Sequence, residues 1–170
     1  MRPKTGDNNP YYDKYIGLIG DDDIIEVLEE QGNKSEKFLK TFTEEQGDYS
    51  YTHGKWTAKE VLGHVIDTER IMAYRALAFA RNERQSLPGF EQDDYVAESN
   101  FNKRSLAGMI NELRTLRESN INLFKSFDEE ILNRRGTASG SEVTVLALIY
   151  IIAGHEKHHM KILKKRYVKE

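Results

Sequence analysis

The feature that most constrains this chain is a long apolar stretch, from Val143 to Leu163, that contains no proline and no turn cluster. A helix turns about 100° per residue, so one face of the stretch collects residues at spacings of three and four. That face consists of Val145, Leu148, Ile152, His155, His159, Ile162 and Leu163. Histidine therefore stands at two positions where the pattern calls for leucine. Because these two are four residues apart, their rings lie one above the other and can bind a single metal ion.

The alternative is that His155 and His159 are ordinary core or surface histidines, which is the usual role of any one histidine. Two of them on one apolar face, at a ligand spacing, favour a metal site. A third nearby histidine, His158, points about 100° away from the centre of the face. We expect it to flank the site.

Two amphipathic helices are predicted in the first half of the chain. The first begins after Asp21–Asp23, whose carboxylates suit a helix N-terminus, and Gly32–Asn33 is expected to interrupt or bend it. The second opens with a capping box, in which Thr57 is followed three residues later by Glu60. It is predicted to run from Ala58 to about residue 82.

A third helix is predicted from about Ser105 to Ser126, and the stretch from Val143 supplies the fourth. Residues 83–101 break the helical pattern, and a connection this long is uncommon unless it covers something, so we interpret it as a lid or wall. Residues 134–141 are rich in glycine and serine and predict a loop. No alternating run is long enough for a sheet. The sequence therefore predicts an all-α four-helix bundle of antiparallel type, with ligand sites on facing helices.

Length and composition limit the classes of protein that fit. The chain of 170 residues suits a single domain, expected to be a bundle over 21–170 with a packed N-terminal arm over 1–20. A net charge of −3 offers no basic field for nucleic acid or an acidic membrane surface. The absence of cysteine excludes disulfides, cysteine-ligated metals and a cysteine nucleophile. With no signal-peptide pattern and no apolar run of membrane-spanning length, we expect a cytoplasmic protein.

A third metal ligand has to come from upstream, where His53 and His64 remain. His53 lies in a connection, whereas His64 lies on the apolar face of the second predicted helix. Alone, His64 would be a core residue more often than a ligand. Together with His155 and His159 it would complete a set of three neutral nitrogens with an open position, which is typical of catalytic rather than structural sites.

Carboxylates are expected to orient such rings. Glu60 and Asp67 on the second helix are the candidates, and Glu156 is a weaker one because it lies at the edge of the apolar face. The run from His155 to His159 also matches H-E-x-x-H, the zinc-protease helix. That chemistry needs a third ligand downstream, and residues 160–170 contain no histidine and one terminal glutamate. The protease interpretation is therefore rejected.

Three blocks of the sequence resemble the DinB/YfiT-like superfamily of metal-binding four-helix bundles. They are Trp56-Thr-Ala-Lys-Glu-Val-Leu-Gly-His64-Val-Ile-Asp-Thr-Glu69, Leu87-Pro-Gly-Phe90 and Ala153-Gly-His-Glu-Lys-His-His159, and they occur in the family's order. The resemblance covers roughly residues 28–163. It implies a divalent metal, zinc or nickel, held by His64, His155 and His159, and it implies a homodimer.

Characterised members of this superfamily include transferases that use bacillithiol or other small thiols, and others are labelled metal-dependent hydrolases. The resemblance thus implies either of two enzymes acting on a small molecule. In the first, a bound small thiol supplies the sulfur that the chain lacks, and attacks an electrophile in a pocket walled by Pro88 to Tyr95. In the second, the ion activates water and a carboxylate such as Glu60 acts as the base. A non-catalytic metal-binding module is the third interpretation.

Overall fold

Four long helices form a bundle in the computed structural model, which describes residues 1–168. Shorter helices and one β-hairpin connect the long helices or pack on them. In chain order the elements are α1 (Asp13–Ile16), α2 (Ile24–Leu39), α3 (Glu44–Gly47), α4 (Ala58–Ala80), α5 (Gln92–Glu98), α6 (Leu106–Lys125), α7 (Glu129–Leu132), β1 (Arg135–Ala138), β2 (Ser141–Thr144) and α8 (Val145–Arg166), with 3₁₀ turns at Pro10–Tyr12 and Phe101–Lys103.

The predicted four-helix bundle is confirmed, with α2, α4, α6 and α8 as its helices. The division into an arm over 1–20 and a domain over 21–170 stays a prediction. The last two residues of that domain, and with them the terminal glutamate considered above, lie outside the described residues.

The helix starts follow from local side-chain hydrogen bonds. The Asp23 carboxylate accepts from the N–H groups of the first turn of α2. At α4 both halves of the predicted capping box are present, since the Thr57 hydroxyl accepts from Glu60 N at 3.1 Å and Glu60 Oε2 accepts from Thr57 N at 2.7 Å. Helix α2 continues through Gly32, so the predicted interruption was wrong. The reason is tertiary: a Cβ at this position would lie 3.3 Å from Cγ of Arg117, which packs there.

The directions of the helices differ from a simple antiparallel bundle. Helices α4 and α8 are antiparallel, because Trp56 at the start of α4 accepts a hydrogen bond from Tyr167 beyond the end of α8. Helices α4 and α6 are parallel. Thr57 bonds to Asn102, just before α6, at 2.7 Å, and Glu69, midway along α4, bonds to residues in the second half of α6.

The parallel arrangement of α4 and α6 explains why the connection between them is long. A 23-residue helix such as α4 is about 34 Å long. To enter α6 in the same direction, the chain has to return along the whole bundle between Ala80 and Leu106. On the way it forms α5 and a 3₁₀ turn, whose Phe101 packs against Gly63 so closely that a Cβ there would overlap the ring.

Residues 134–141, predicted as a loop, form most of a hairpin instead. Strand β1 pairs antiparallel with β2, in a register that sets Ala138 against Ser141. Ser139 and Gly140 both have positive φ, at 52° and 75°, as a two-residue hairpin turn requires. Strands of four residues are too short to show a clear alternation, which is why the sequence pattern did not indicate them. Gly136 is needed here because a Cβ would overlap the ring of Phe79.

The core consists of two apolar clusters, one towards each end of the bundle. Between them lies a buried polar layer. Arg117 of α6 donates to both oxygens of Glu69 on α4, at 2.9 and 2.7 Å, and to Glu156 of α8 at 2.6 Å. Asn120 and Gln31 complete the layer with bonds to Glu69 and Glu156. No helix within residues 1–168 is long and apolar enough to cross a membrane.

Replacing Arg117 by methionine is expected to destabilise the fold by about 3–5 kcal/mol, because it leaves two carboxylates buried without their cation. Urea unfolding followed by circular dichroism measures the change. The control is Arg114→Met on the same helix, whose pair with Glu118 is largely exposed and should contribute less than about 1 kcal/mol. Equal losses in the two variants would contradict a dominant role for the buried layer.

A second prediction concerns Gly154 of α8, where a Cβ would overlap the backbone oxygen of Tyr15. Alanine normally stabilises a helix interior by about 1 kcal/mol relative to glycine. Gly154→Ala should instead lower the free energy of unfolding, because α1 has to move away from α8. Gly32→Ala is the comparison, since a Cβ there would meet a side-chain carbon at 3.3 Å, whereas at Gly154 it would overlap a backbone oxygen. A more stable Gly154→Ala protein would contradict this close packing.

Candidate metal centre

Three histidine rings from two helices converge inside the bundle. His64 comes from α4, and His155 and His159 come from α8; one ring nitrogen of each lies within 4.8 Å of the others. The Nε2 atoms of His64 and His155 are 2.9 Å apart. The rings meet as the sequence analysis expected, and their role as metal ligands stays a prediction.

The antiparallel packing of α4 on α8 and the four-residue spacing within α8 together produce this convergence. Gly154 lets α1 approach α8 directly, and this places the rings of Tyr15 and His155 in a T-shaped contact, with ring centroids 5.3 Å apart. Trp56 covers His64 with a centroid distance of 5.0 Å. The three histidines are consequently buried or half-buried, between a tyrosine and the only tryptophan of the chain.

Burial sets the charge state of the three rings. It lowers the pKa of His64 to about 4, against a weaker opposing effect from the charge of Asp93. Burial, with the neighbouring histidines, lowers the pKa of His159 to about 3 and holds the pKa of His155 well below its usual range. The imidazoles are therefore neutral at pH 7, which is the form that binds metals.

The residues present fit a divalent metal ion. Metal–nitrogen distances of about 2.0–2.1 Å in a tetrahedral site place ligand nitrogens about 3.3 Å apart. The 2.9 Å separation of the His64 and His155 nitrogens is close to this, and small ring movements would reach it. Nδ1 of His159 is buried without a hydrogen-bond partner among the described residues. Three nitrogen donors would also leave a coordination position for an outside molecule.

The structure separates the remaining histidines from the group of three. His53 is exposed in the connection before α4. His158 is half-buried and touches Tyr15 and His159 edge-on, with centroid distances of 5.3 and 5.0 Å. The expectation that it flanks the site agrees with this position.

The predicted orienting carboxylates have other partners. Glu60 is held by its helix cap and by Asn102, which donates to Oε1 at 2.9 Å. Asp67 lies 3.8 Å from Arg70, and burial raises the pKa of its carboxyl group. In the described part of the chain no hydrogen bond joins either of them to the three rings. Their predicted catalytic roles stay predictions. Glu156, the weaker candidate, belongs to the buried ionic layer.

Sequence reasoning missed several neighbours of the site. Tyr15 had no distinguishing signal beyond the aromatic run in the predicted arm. Asp93 belongs to the acidic segment of the long connection, and only the fold shows that its charge acts on His64. Thr68 lies one turn after His64, and its hydroxyl is buried without a partner among residues 1–168. A polar residue on an otherwise apolar helix face was the signal that could have identified it.

Comparison with known proteins assigns this chain to a family. The model of the DinB superfamily matches residues 28–163. A protein of Oceanobacillus iheyensis, named "Putative metal-dependent hydrolase OB0413", is 21% identical over 141 residues, covering 82% of this chain and 81% of its own. One from Bacillus mycoides, also named as a "Putative metal-dependent hydrolase", is 25% identical over 149 residues, covering 85% and 86%.

The fold has a solved counterpart in YfiT from Bacillus subtilis, described as "a probable metal-dependent hydrolase with an unusual four-helix bundle topology". The two structures superimpose with a TM-score of 0.74 at 18% sequence identity, over 97% of this chain and 90% of YfiT. At this identity the likeness concerns the fold alone. The family match extends over most of the chain and includes all three histidines of the site. This protein belongs to the DinB superfamily.

Proposed function

We propose that this protein is a metal-dependent enzyme that transfers a small thiol of the bacillithiol type to an electrophilic substrate. His64, His155 and His159 would hold the ion, zinc or nickel. The observation that carries the proposal is the convergence of three neutral imidazoles, two buried and one half-buried, with one ring nitrogen of each within 4.8 Å of the others. A structural site is normally closed by four protein ligands, whereas three leave room for an outside molecule.

The ion would supply a Lewis acid that favours the deprotonated form of a thiol or a water molecule at neutral pH. The chain's own residues supply the surroundings. Tyr15 packs against His155 and Trp56 packs against His64, with ring centroids 5.3 and 5.0 Å apart. Because the chain has no cysteine, the reacting sulfur has to come from a second small molecule.

The engagement of Glu60 and Asp67, the two carboxylates predicted to act from α4, favours a thiol over water as the nucleophile. Hydrolysis by metal-activated water ordinarily uses a carboxylate as general base. Both oxygens of Glu60 accept hydrogen bonds from Thr57 and Asn102, and Asp67 lies beside Arg70. A free thiol has a pKa of about 8.5, so binding to the ion would suffice to ionise it at neutral pH without a carboxylate base.

Hydrolysis is the second candidate, and the names of the relatives favour it. In that case Asp93 is the first carboxylate to test as the base, because its charge acts on His64. A metal-binding module without catalysis is the third candidate.

The electrophile is proposed to bind beside the connection between α4 and α6. A depression of about 300 Å³ lies between α4 and this connection, and Arg75, Pro88, Phe90 and Tyr95 contribute to its lining. The proposed substrate is a small molecule, since a net charge of −3 gives no support for nucleic acid. Assembly as a homodimer, and the lack of a membrane partner, stay predictions.

Alanine substitution of His64, His155 or His159 is expected to lower the affinity for zinc and nickel. The loss should exceed the roughly 10–100-fold that follows from removing a residue that only hydrogen-bonds to a metal ligand. His53→Ala and His158→Ala are the matched controls and should bind as the unmodified protein does. Elemental analysis after equilibrium dialysis gives the stoichiometry, and quenching of Trp56 by nickel gives an independent titration. Full occupancy in His155→Ala protein would contradict the assignment.

Metal-loaded protein should accelerate the conjugation of monochlorobimane with one member of a panel of small thiols that includes bacillithiol. The His155→Ala protein is expected to lose this acceleration, whereas His53→Ala should retain it. Fluorescence of the conjugate measures the rate. No acceleration with any thiol, together with thiol-independent turnover of esters or amides that falls in Asp93→Asn, would decide for hydrolysis.

A further inference from the structure

We propose that the groove between α2 and α6 binds a small organic cation, an ammonium group on an apolar body, with Glu156 as its acceptor. The groove has a volume of about 490 Å³, within the range of small-molecule sites. Its lining includes Arg117 and Glu156 of the buried layer, and Gly32, against which the Arg117 side chain packs.

The proposed acceptor is one carboxylate oxygen of Glu156, Oε1. This side chain is only 1% exposed. Its Oε2 accepts from Arg117 at 2.6 Å and from Gln31 at 3.1 Å. Its Oε1 is buried and has no partner within residues 1–168. Buried carboxylate oxygens are almost always hydrogen-bonded, so this one calls for a donor that the chain does not supply.

The charge of the layer points to a cationic donor. Arg117 is one guanidinium between two carboxylates, Glu69 and Glu156, while Asn120 and Gln31 are neutral. The layer therefore carries one carboxylate more than it has cations. An ammonium group would both donate the missing hydrogen bond and balance the charge.

Among the described residues that line this groove, the lysine and the outer arginine are already paired, so an anionic ligand is not favoured. Lys125 is paired with Glu29 at 2.6 Å, and Arg114 is paired with Glu118 at 2.6 Å. The apolar part of the lining suits an alkyl or aromatic body attached to the ammonium group. It consists of Leu39, Ile110, Leu113 and Ile121.

The groove is separate from the candidate metal centre. Glu156 follows His155 in α8, so the two side chains leave the helix about 100° apart. No histidine contributes to the lining of the groove. The inference therefore does not depend on the proposed thiol transfer.

The test is calorimetric titration of the full chain with three probes of one shape, hexylammonium, hexanol and hexanoate. We expect hexylammonium to bind with 1:1 stoichiometry, at least about tenfold more tightly than hexanol, as a charge-assisted hydrogen bond implies. Hexanoate should not bind. Equal affinities for the three probes would overturn the proposal. The absence of hexylammonium binding at millimolar concentration would also overturn the proposal.

Two variants locate the site. Glu156→Gln removes the charge at the floor and should weaken hexylammonium binding at least about tenfold, whereas Glu118→Gln at the rim should change it less than about twofold. Asn33→Trp fills the exposed mouth while leaving the buried layer intact, and should also abolish binding. Unchanged binding in Glu156→Gln or Asn33→Trp protein would refute the assignment. Metal content, measured in parallel, shows separately whether the metal centre is present.

Discussion

The contact on which the bundle most depends is the buried guanidinium of Arg117. It reaches Glu69 on α4, Glu156 on α8 and the backbone oxygen of Leu28 on α2, so one side chain of α6 touches all three other long helices. Burial alone would lower the pKa of Arg117, but the two carboxylates outweigh it and raise the pKa. Because a buried charge without its partner is so unfavourable, this contact restricts how α4 and α8 can rotate about their own axes. The faces that carry His64 and His155 are turned towards each other as a result.

The direction of the helices explains where chemistry can occur. Helices α4 and α6 run parallel, so the chain between them has to travel back along the bundle and forms a wall beside α4. This wall brings α5, with Asp93, into the electrostatic environment of His64. An ordinary antiparallel order would have joined α4 and α6 by a short turn and left this side of His64 uncovered. The topology therefore covers one side of His64 and also brings the carboxylate of Asp93 close enough to act on its pKa.

How much the sequence could predict depended on how local each interaction is. The capping box of Thr57 and Glu60, the bounds of α4 and α6 and the histidine pair of α8 are defined within one or two helical turns, and pattern alone identified them to within two residues. The start of the fourth helix was predicted at Val143, but this residue and Thr144 belong to β2, and α8 begins at Val145. The hairpin escaped because its strands have four residues each and its turn uses Ser139, a residue without a strong preference for positive φ. Gly32 looked like a helix breaker because nothing local revealed the arginine of another helix packed on it. The ionic layer was missed for the same reason, since its hydrogen bonds join residues that lie 39 to 125 positions apart along the chain.

The separation of His64 from His155 has a consequence for folding. Their contact spans 91 residues, so it adds to the contact order and forms only after α8 has docked on α4. A metal ion that requires nitrogens from both helices stabilises only conformations in which they are docked, by mass action. Opening of α8 would have to release the ion first, so occupancy of the site would protect the last helix from local unfolding and from proteases.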